Sequence, residues 1–392
     1  MILRVINHPY EFDMKNLCIT FFPHEKIRLE GEEDPVVVTT RRETDGSFFV
    51  SAKVYDVYRE ATAKPEPADE EHLVLSVTLY RLLSGILGFA PPWGVLYGVR
   101  PAKLMHRLCA QMGDDAAVAH FQTAFLTQKS KAELAHEVML HENRSIARSG
   151  PKSFSLYVSI PFCPTRCAYC SFVSHSIEKT HKLMTPYVDL LLRELEETSK
   201  YAKELGLELA TVYFGGGTPT TLSAQDLGRI FSTIEQNFDL SHLMEYTVEA
   251  GRPDTVTRER LEVIQAAGVQ RISINPQSFN DKVLEAIGRR HTAQQTLDAF
   301  ALARDCGFDH INMDFIAGLP EDDLPSFQRS IQTALDLQAE SITVHTLALK
   351  TSAYMVTREQ TFDLKDRLTV SNMVDYAGQT LHGAGYYPYY MY

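Results

Sequence analysis

The chain has 392 residues, 44% of them hydrophobic and 22% charged, which excludes a disordered or fibrous polymer and allows two or three domains with buried cores. A formal net charge of −12 excludes non-specific attraction to nucleic acid or to an anionic membrane surface, but leaves room for a local basic pocket. No apolar run is long enough to cross a bilayer, and residues 1–30 lack the basic start and apolar centre of a signal peptide, so the expected location is the cytoplasm.

Residues 1–60 read as β-rich, because "NLCITFFP", "PVVVTTRRE" and "GSFFVSAKVYDVY" are short β-branched and aromatic runs separated by Gly, Asp and Pro. Apolar residues recur at helical spacing from Glu70 to Gly88 and from Asp114 to Ala147, with a Gly- and Pro-rich loop and a short helix between them. Residues 1–150 are therefore expected to form a separate α+β domain, with 142–153 as the linker. From Phe154 the pattern alternates. Strands are expected at 154–160, 210–214, 245–250, 270–275, 309–316 and 341–347. Helices are expected near 184–204, 223–237, 256–267, 292–306, 323–337 and 366–383, with Ser223 and Thr292 at N-cap positions. Six βα units imply a parallel α/β sheet, doubly wound or curled into a partial barrel, over residues 151–385. Residues 386–392 read as the start of a C-terminal region missing from the chain.

Cys163, Cys167 and Cys170 stand at C-x3-C-x2-C spacing directly after the first strand of this array, and three thiolates can hold a four-iron cluster while leaving one iron open. A structural zinc ion is the alternative, with His175 or His181 as fourth ligand, but no second paired ligand group lies in reach. Disulfides do not fit a chain with no sign of secretion. Cys18, Cys109 and Cys306 are scattered and read as inert small hydrophobes.

Ligands of parallel sheets sit at the carboxyl ends of the strands, and chemistry-bearing residues fall there. The cysteine loop follows strand one and "GGGTPT" (215–220) follows strand two. Glu249 ends strand three, Gln277 follows strand four and Asp314 lies near the end of strand five. The glycine triplet lets the chain approach a ligand closely, yet it lacks the later Gly or Lys-Ser/Thr of a dinucleotide or phosphate loop.

With an aromatic before the third cysteine and the glycine triplet after strand two, the chain resembles the radical S-adenosylmethionine enzymes. "YVSIPFC", "YFGGGTPT", "PQSFNDKVLEAIGRRH" and "NMDFIAGLP" together resemble the oxygen-independent coproporphyrinogen III oxidase (dehydrogenase) family over residues 154–347, and "YGVRPAK" resembles its branch with an extra N-terminal domain. The resemblance implies a partial (β/α)6 TIM-like barrel preceded by a small α+β domain. It implies a [4Fe–4S] cluster on Cys163, Cys167 and Cys170, and S-adenosyl-L-methionine chelating the open iron, with Gly216, Gly217 and Thr218 at its methionine end. Glu249 and Gln277 would contact the nucleoside, Arg289 the methionine carboxylate, Asp314 a ribose hydroxyl or a second S-adenosylmethionine, and Tyr157 would pack beside the cofactor. Each has a plainer alternative: Glu249 and Asp314 as helix caps, Arg289 with Arg290 on a solvated basic face, Gln277 as a turn residue, Tyr157 as core.

The implied activity is that of a haem-biosynthetic oxidoreductase turning two propionates of coproporphyrinogen III into the vinyls of protoporphyrinogen IX, with a flavodoxin- or ferredoxin-like electron donor and neither nucleic acid nor membrane as partner. A haem-binding chaperone and a radical enzyme for another tetrapyrrole are the alternatives. Phe172 and Ser159 stand where well-known members carry Cys and His, changes shared with sister branches of different activity.

Overall fold

The computed structural model describes residues 1–23, 25–172, 174–348, 353–357 and 367–391. It divides the chain into two compact units, Met1–Arg148 with Pro388–Tyr392, and Ser149–Tyr387.

The first unit runs β1 (Ile2–Ile6), α1 (Glu11–Phe21), β2 (Val36–Arg42), β3 (Phe48–Val54), β4 (Val57–Ala63), α2 (Glu71–Leu87), α3 (Pro101–Met112), α4 (Asp114–Thr123) and α5 (Lys129–Ile146). β1 to β4 form one sheet in that order, parallel at β1–β2 and antiparallel beyond. The alternation of Val36, Val38 and Thr40 buries one face of β2, and Leu17, Leu75 and Leu79 cover that face from α1 and α2. Met105, Phe121, Ala135 and Val138 make a second core among α3, α4 and α5.

Two expectations change here. "NLCITFFP" is the end of helix α1, because Met14, Leu17, Cys18 and Phe21 recur at 3.6-residue spacing and that buried stripe overrides the local β propensity. The helical pattern at 114–147 is two helices, and α5 carries to Ile146 the residues read as a linker. In the C-terminal tail Met391 packs among the α3–α5 core residues, and Tyr392 lies outside the described residues.

The second unit runs β5 (Ser153–Ile160), β6 (Phe162–Cys163), β7 (His175–Ser176), α6 (Ile177–Glu204), β8 (Glu208–Gly216), α7 (Ala224–Asn237), β9 (Glu245–Glu249), α8 (Arg258–Ala266) and β10 (Arg271–Ser273). It continues with α9 (Asp281–Ala286), α10 (Ala293–Asp305), β11 (Ile311–Ala317), α11 (Leu324–Asp336), β12 (Ser341–Thr346), α12 (Tyr354–Thr357) and α13 (Arg367–Gly383). Asp366, at the expected start of the last helix, lies outside the described residues.

The large sheet has the order β12-β11-β10-β9-β8-β5, with every neighbouring pair parallel. A doubly wound sheet reverses its strand order at a switch point; this one never does, so successive crossovers carry it one way round into a partial barrel. Phe214, Tyr246, Ile272, Phe315 and Phe327 form its core. Ser223 caps α7 by accepting from Asp226 N, and Thr292 and Gln295 make a reciprocal capping box on α10. Among the described residues no helix is long and apolar enough to cross a membrane.

Two substitutions separate packing from capping. Phe315→Ala empties a fully buried site and is expected to cost about 3–5 kcal/mol. Thr292→Ala removes a cap for about 1 kcal/mol. Urea unfolding followed by circular dichroism gives both; equal losses would contradict this assignment of the core.

Candidate active site

The site is built where β5 and β8 end. Their parallel pairing continues past the ladder: Gly217 N donates to Ile160 O at 2.7 Å and Thr218 N to Phe162 O at 2.8 Å. A Cβ on Gly217 would lie 2.6 Å from Phe162 O and 2.9 Å from Ile160 O, so only glycine admits this approach. Gly216, at φ +103°, makes the turn. The triplet therefore closes first on the cysteine loop itself, and the N–H groups of Gly217 and Thr218 are already engaged.

All six cysteines are unbridged. Burial raises the thiols of Cys163 and Cys170, and Thr218 Oγ1 donates to Cys163 Sγ at 3.5 Å. The loop is stitched to its surroundings by Ala168 N to Ile287 O at 2.9 Å and Thr165 Oγ1 to Gly288 O at 3.3 Å.

Arg252, which the sequence reading missed, is 3% exposed and holds this arrangement from below. It forks onto Asp254, at 3.0 and 3.1 Å, and donates to Thr165 Oγ1 and, at 3.7 Å, to Cys167 Sγ. Its signal was available: it is the third residue after Glu249, on the loop leaving β9. Arg289 approaches Cys167 and Tyr169 from the loop after α9, and its NH1 donates to Asn275 O at 2.6 Å. It is buried, whereas Arg290 is exposed and pairs with Glu178 at 2.8 Å, so the two do not share a basic face. Burial lowers the Arg289 guanidinium, but Tyr169 and Cys167 more than offset this and the net direction is up. Arg289 Nε has no hydrogen-bond partner among the described residues. His291, buried behind both arginines, is pushed down to about 3 by burial first and then by their charge, so its imidazole is neutral.

On the opposite side Tyr157 is 58% exposed, not core, and stacks on Tyr213 at 5.8 Å between centroids. Tyr213 donates to Glu249 Oε1 at 2.5 Å. Glu249 retains some exposure, yet its carboxylate lies low among Tyr213, Gly215 and Asp314; burial first, and then Asp314, raise it to about 7. Asp314 stands mid-strand in β11, not near its end, because Gln277 pairs onto the strand beyond β10: Gln277 N donates to Asp314 O and Ile316 N to Gln277 O. Gln277 is 5% exposed and held at φ +69°, a strained setting for a non-glycine residue. Asn312 Nδ2 donates to Asp314 Oδ1 at 2.8 Å, so Asp314 is held in place within the sheet and not used as a cap. The cysteine loop also borders a cavity of about 380 Å³ lined by Arg166, Phe172, Ser174, His175, Lys179 and Thr180 among others.

The donor set fits an iron–sulfur cluster and an amino-acid nucleoside. Three free cysteines share one loop, two guanidiniums and a hydroxyl face sulfurs that carry negative charge when they ligate iron, and Arg289 keeps one donor free beside them.

Gly217→Ala is expected to destabilise the second unit by about 1–3 kcal/mol and to lower iron uptake, since only backbone faces the new methyl. Gly228→Ala in α7, with nothing nearer than 3.6 Å, is the control and should be neutral or stabilising. Glu249 gives a pH test. A carboxyl raised from 4.5 to about 7 holds its proton more tightly when folded, so its contribution to stability falls as pH rises through that window. Between pH 5 and pH 8 the parent should lose about 2–3 kcal/mol more than Glu249→Gln in urea unfolding. Parallel losses would refute the burial of that carboxyl.

The radical SAM superfamily model matches residues 157–334. The oxygen-independent coproporphyrinogen-III oxidase-like protein HemZ of Bacillus subtilis is 33% identical over 97% of this chain and 79% of its own length. The heme chaperone HemW of the same organism is 38% identical over 50% of this chain, which spans about half (51%) of that relative. The solved structure of the Escherichia coli coproporphyrinogen III oxidase HemN, a radical SAM enzyme, superposes with a TM-score of 0.53 at 25% identity, over 63% of this chain and 56% of that one. Proteins of this superfamily work with a [4Fe–4S] cluster and S-adenosylmethionine. A superfamily match that spans the cysteine loop, a similar solved fold and a relative matched along nearly the whole sequence lead to one conclusion: this chain belongs to the oxygen-independent coproporphyrinogen-III oxidase-like family of the radical SAM superfamily.

Proposed function

We propose that the chain is an oxidoreductase that removes the carboxylates of two propionate side chains of coproporphyrinogen III, leaving vinyls. The observation that carries this reading is the loop after β5, where three unbridged cysteines meet Thr218, Arg252 and Arg289. Cys163, Cys167 and Cys170 would hold the cluster. The carbonyl oxygens of Gly216 and Gly217 are the acceptors an amino group would find, because the amides of Gly217 and Thr218 are spent on the strand end. Arg289 Nε would meet the methionine carboxylate, while Tyr157, Glu249, Gln277 and Asp314 would line the nucleoside end.

When bound, the cluster and S-adenosylmethionine supply a carbon radical able to take a hydrogen atom from an unactivated C–H bond. Each propionate would lose one hydrogen atom, one electron and CO2 to become a vinyl. The protein's part is placement. The Tyr213 hydroxyl holds Glu249 in place, Asp314 nearby favours its protonated form, and the backbone of Gln277 fixes the wall beside it. Arg166 and Lys179 give the cavity beside the loop the positive lining that a substrate with several carboxylates requires. Haem transfer is the second reading, favoured by the 38% identity to a heme chaperone.

The test is anaerobic. The chain is loaded with iron and sulfide, reduced, and given S-adenosylmethionine and coproporphyrinogen III, and 5′-deoxyadenosine and vinyl-bearing product are followed together. Both should appear, and Ala at Cys163, Cys167 or Cys170 should abolish both along with cluster iron. Iron-loaded protein that binds haem and yields no nucleoside would overturn the enzyme reading in favour of transfer.

A further inference from the structure

We propose that Cys109, Asp114 and His136 form a binding site for one divalent cation of zinc type in the first unit, independent of everything assigned to the second. Their ligand atoms (one sulfur, one carboxylate oxygen, one imidazole nitrogen) all lie within 4.8 Å of one another. Asp114 Oδ2 and His136 Nε2 are 3.1 Å apart. That Nε2 is shielded from solvent and makes no hydrogen bond of proper geometry among the described residues, so the imidazole presents its edge to the other two groups.

The sequence places them there for local reasons. Cys109 lies in the last turn of α3, and Gly113, at φ +85°, turns the chain so sharply that Asp114 begins α4 beside it. His136 stands on α5 next to the buried Ala135 and one turn beyond the buried Ala132. Small side chains on that stripe let α5 come close to the α3–α4 corner. One ligand then comes from each of the three helices that share the core of Met105, Phe121 and Val138.

The mixture of sulfur, nitrogen and oxygen selects the cation. A single carboxylate does not suit calcium or magnesium, which take shells of oxygen. Cys, His and Asp are zinc ligands, and three of them leave a fourth position for water. Tetrahedral bonds of about 2.0–2.3 Å set neighbouring ligand atoms about 3.3–3.5 Å apart. Asp114 and His136 are already at that spacing, and Cys109 needs to close by about 1.5 Å at most to join them. Binding displaces the thiol proton, and thiolate plus carboxylate then balance the two charges of the ion. Closing the triangle ties three helix segments together, so the ion should raise the stability of this unit.

Cys163, Cys167 and Cys170 could also take up zinc through their thiolates, so the test keeps the two sites apart. The full chain carrying Cys163, Cys167 and Cys170 replaced by Ala is titrated with Co2+. One ion per chain should bind, giving the thiolate charge-transfer band and the strong visible bands of tetrahedral cobalt. Cys109→Ala or His136→Ala in that background should abolish them with far-ultraviolet circular dichroism unchanged, and Asp114→Asn should weaken binding by about tenfold. No bound cobalt, or bands that persist without Cys109, would overturn the proposal. Should the triple variant fail to fold, the iron-loaded parent is desalted in the presence of zinc and analysed for both metals. Cys109→Ser should lose one zinc per chain and keep its iron. Loss of both metals together, or of neither, overturns the proposal.

Discussion

The donation of Gly217 N to Ile160 O, followed by Thr218 N to Phe162 O, lets β8 grip the chain that leaves β5 just before it reaches Cys163. Strand pairing is regular and stiff, whereas a loop of eight residues carrying three cysteines is neither. By extending the ladder past its last paired residue, the glycine turn transfers the rigidity of the sheet to the loop. Any side chain at Gly217 would meet backbone, which has nowhere to move without parting the strands.

A second constraint is electrostatic. Arg252 and Arg289 are both buried, and a buried guanidinium is costly unless its donors are met. Asp254, Thr165, Asn275 and Tyr169 meet most of them. Apart from Arg289 Nε, unpartnered among the described residues, what remains points at Cys167, so charge that would otherwise destabilise the fold is directed at the cysteine loop. His291 stays neutral behind the pair and adds no third charge. Across the rim the logic is reversed: burial and the nearby Asp314 disfavour the ionised form of Glu249, and the Tyr213 hydroxyl eases that burden. The two sides of the site thus differ in sign before any ligand enters.

The first unit is organised by simpler forces, with a sheet face covered by two helices and a three-helix core beside it. Its polar triad of Cys109, Asp114 and His136 sits at the edge of that second core, where α3 and α4 meet at a glycine.

Much of this was legible in the residues alone. Period-two and period-3.6 patterns located the six parallel strands and their helices, since burial on fixed faces leaves no other periodicity, and the C-x3-C-x2-C spacing drew attention to the loop that the buried arginines face. Strand order, however, is a property of pairing between distant segments, so only the structure distinguished a singly wound partial barrel from a doubly wound sheet. The same holds for α1, where a buried stripe overrode β propensity, and for Asp314, whose place in mid-strand depends on Gln277 pairing beside it. Tyr213 escaped notice because nothing in its immediate sequence marks it, and Arg252 because its place just after Glu249 does not reveal its target; each becomes informative through a partner 36 to 87 positions away. Sequence determined which residues could do chemistry, because that is set by side-chain type and local period. Tertiary structure decided which of them share a dry corner, because burial and proximity are made by segments far apart in the chain.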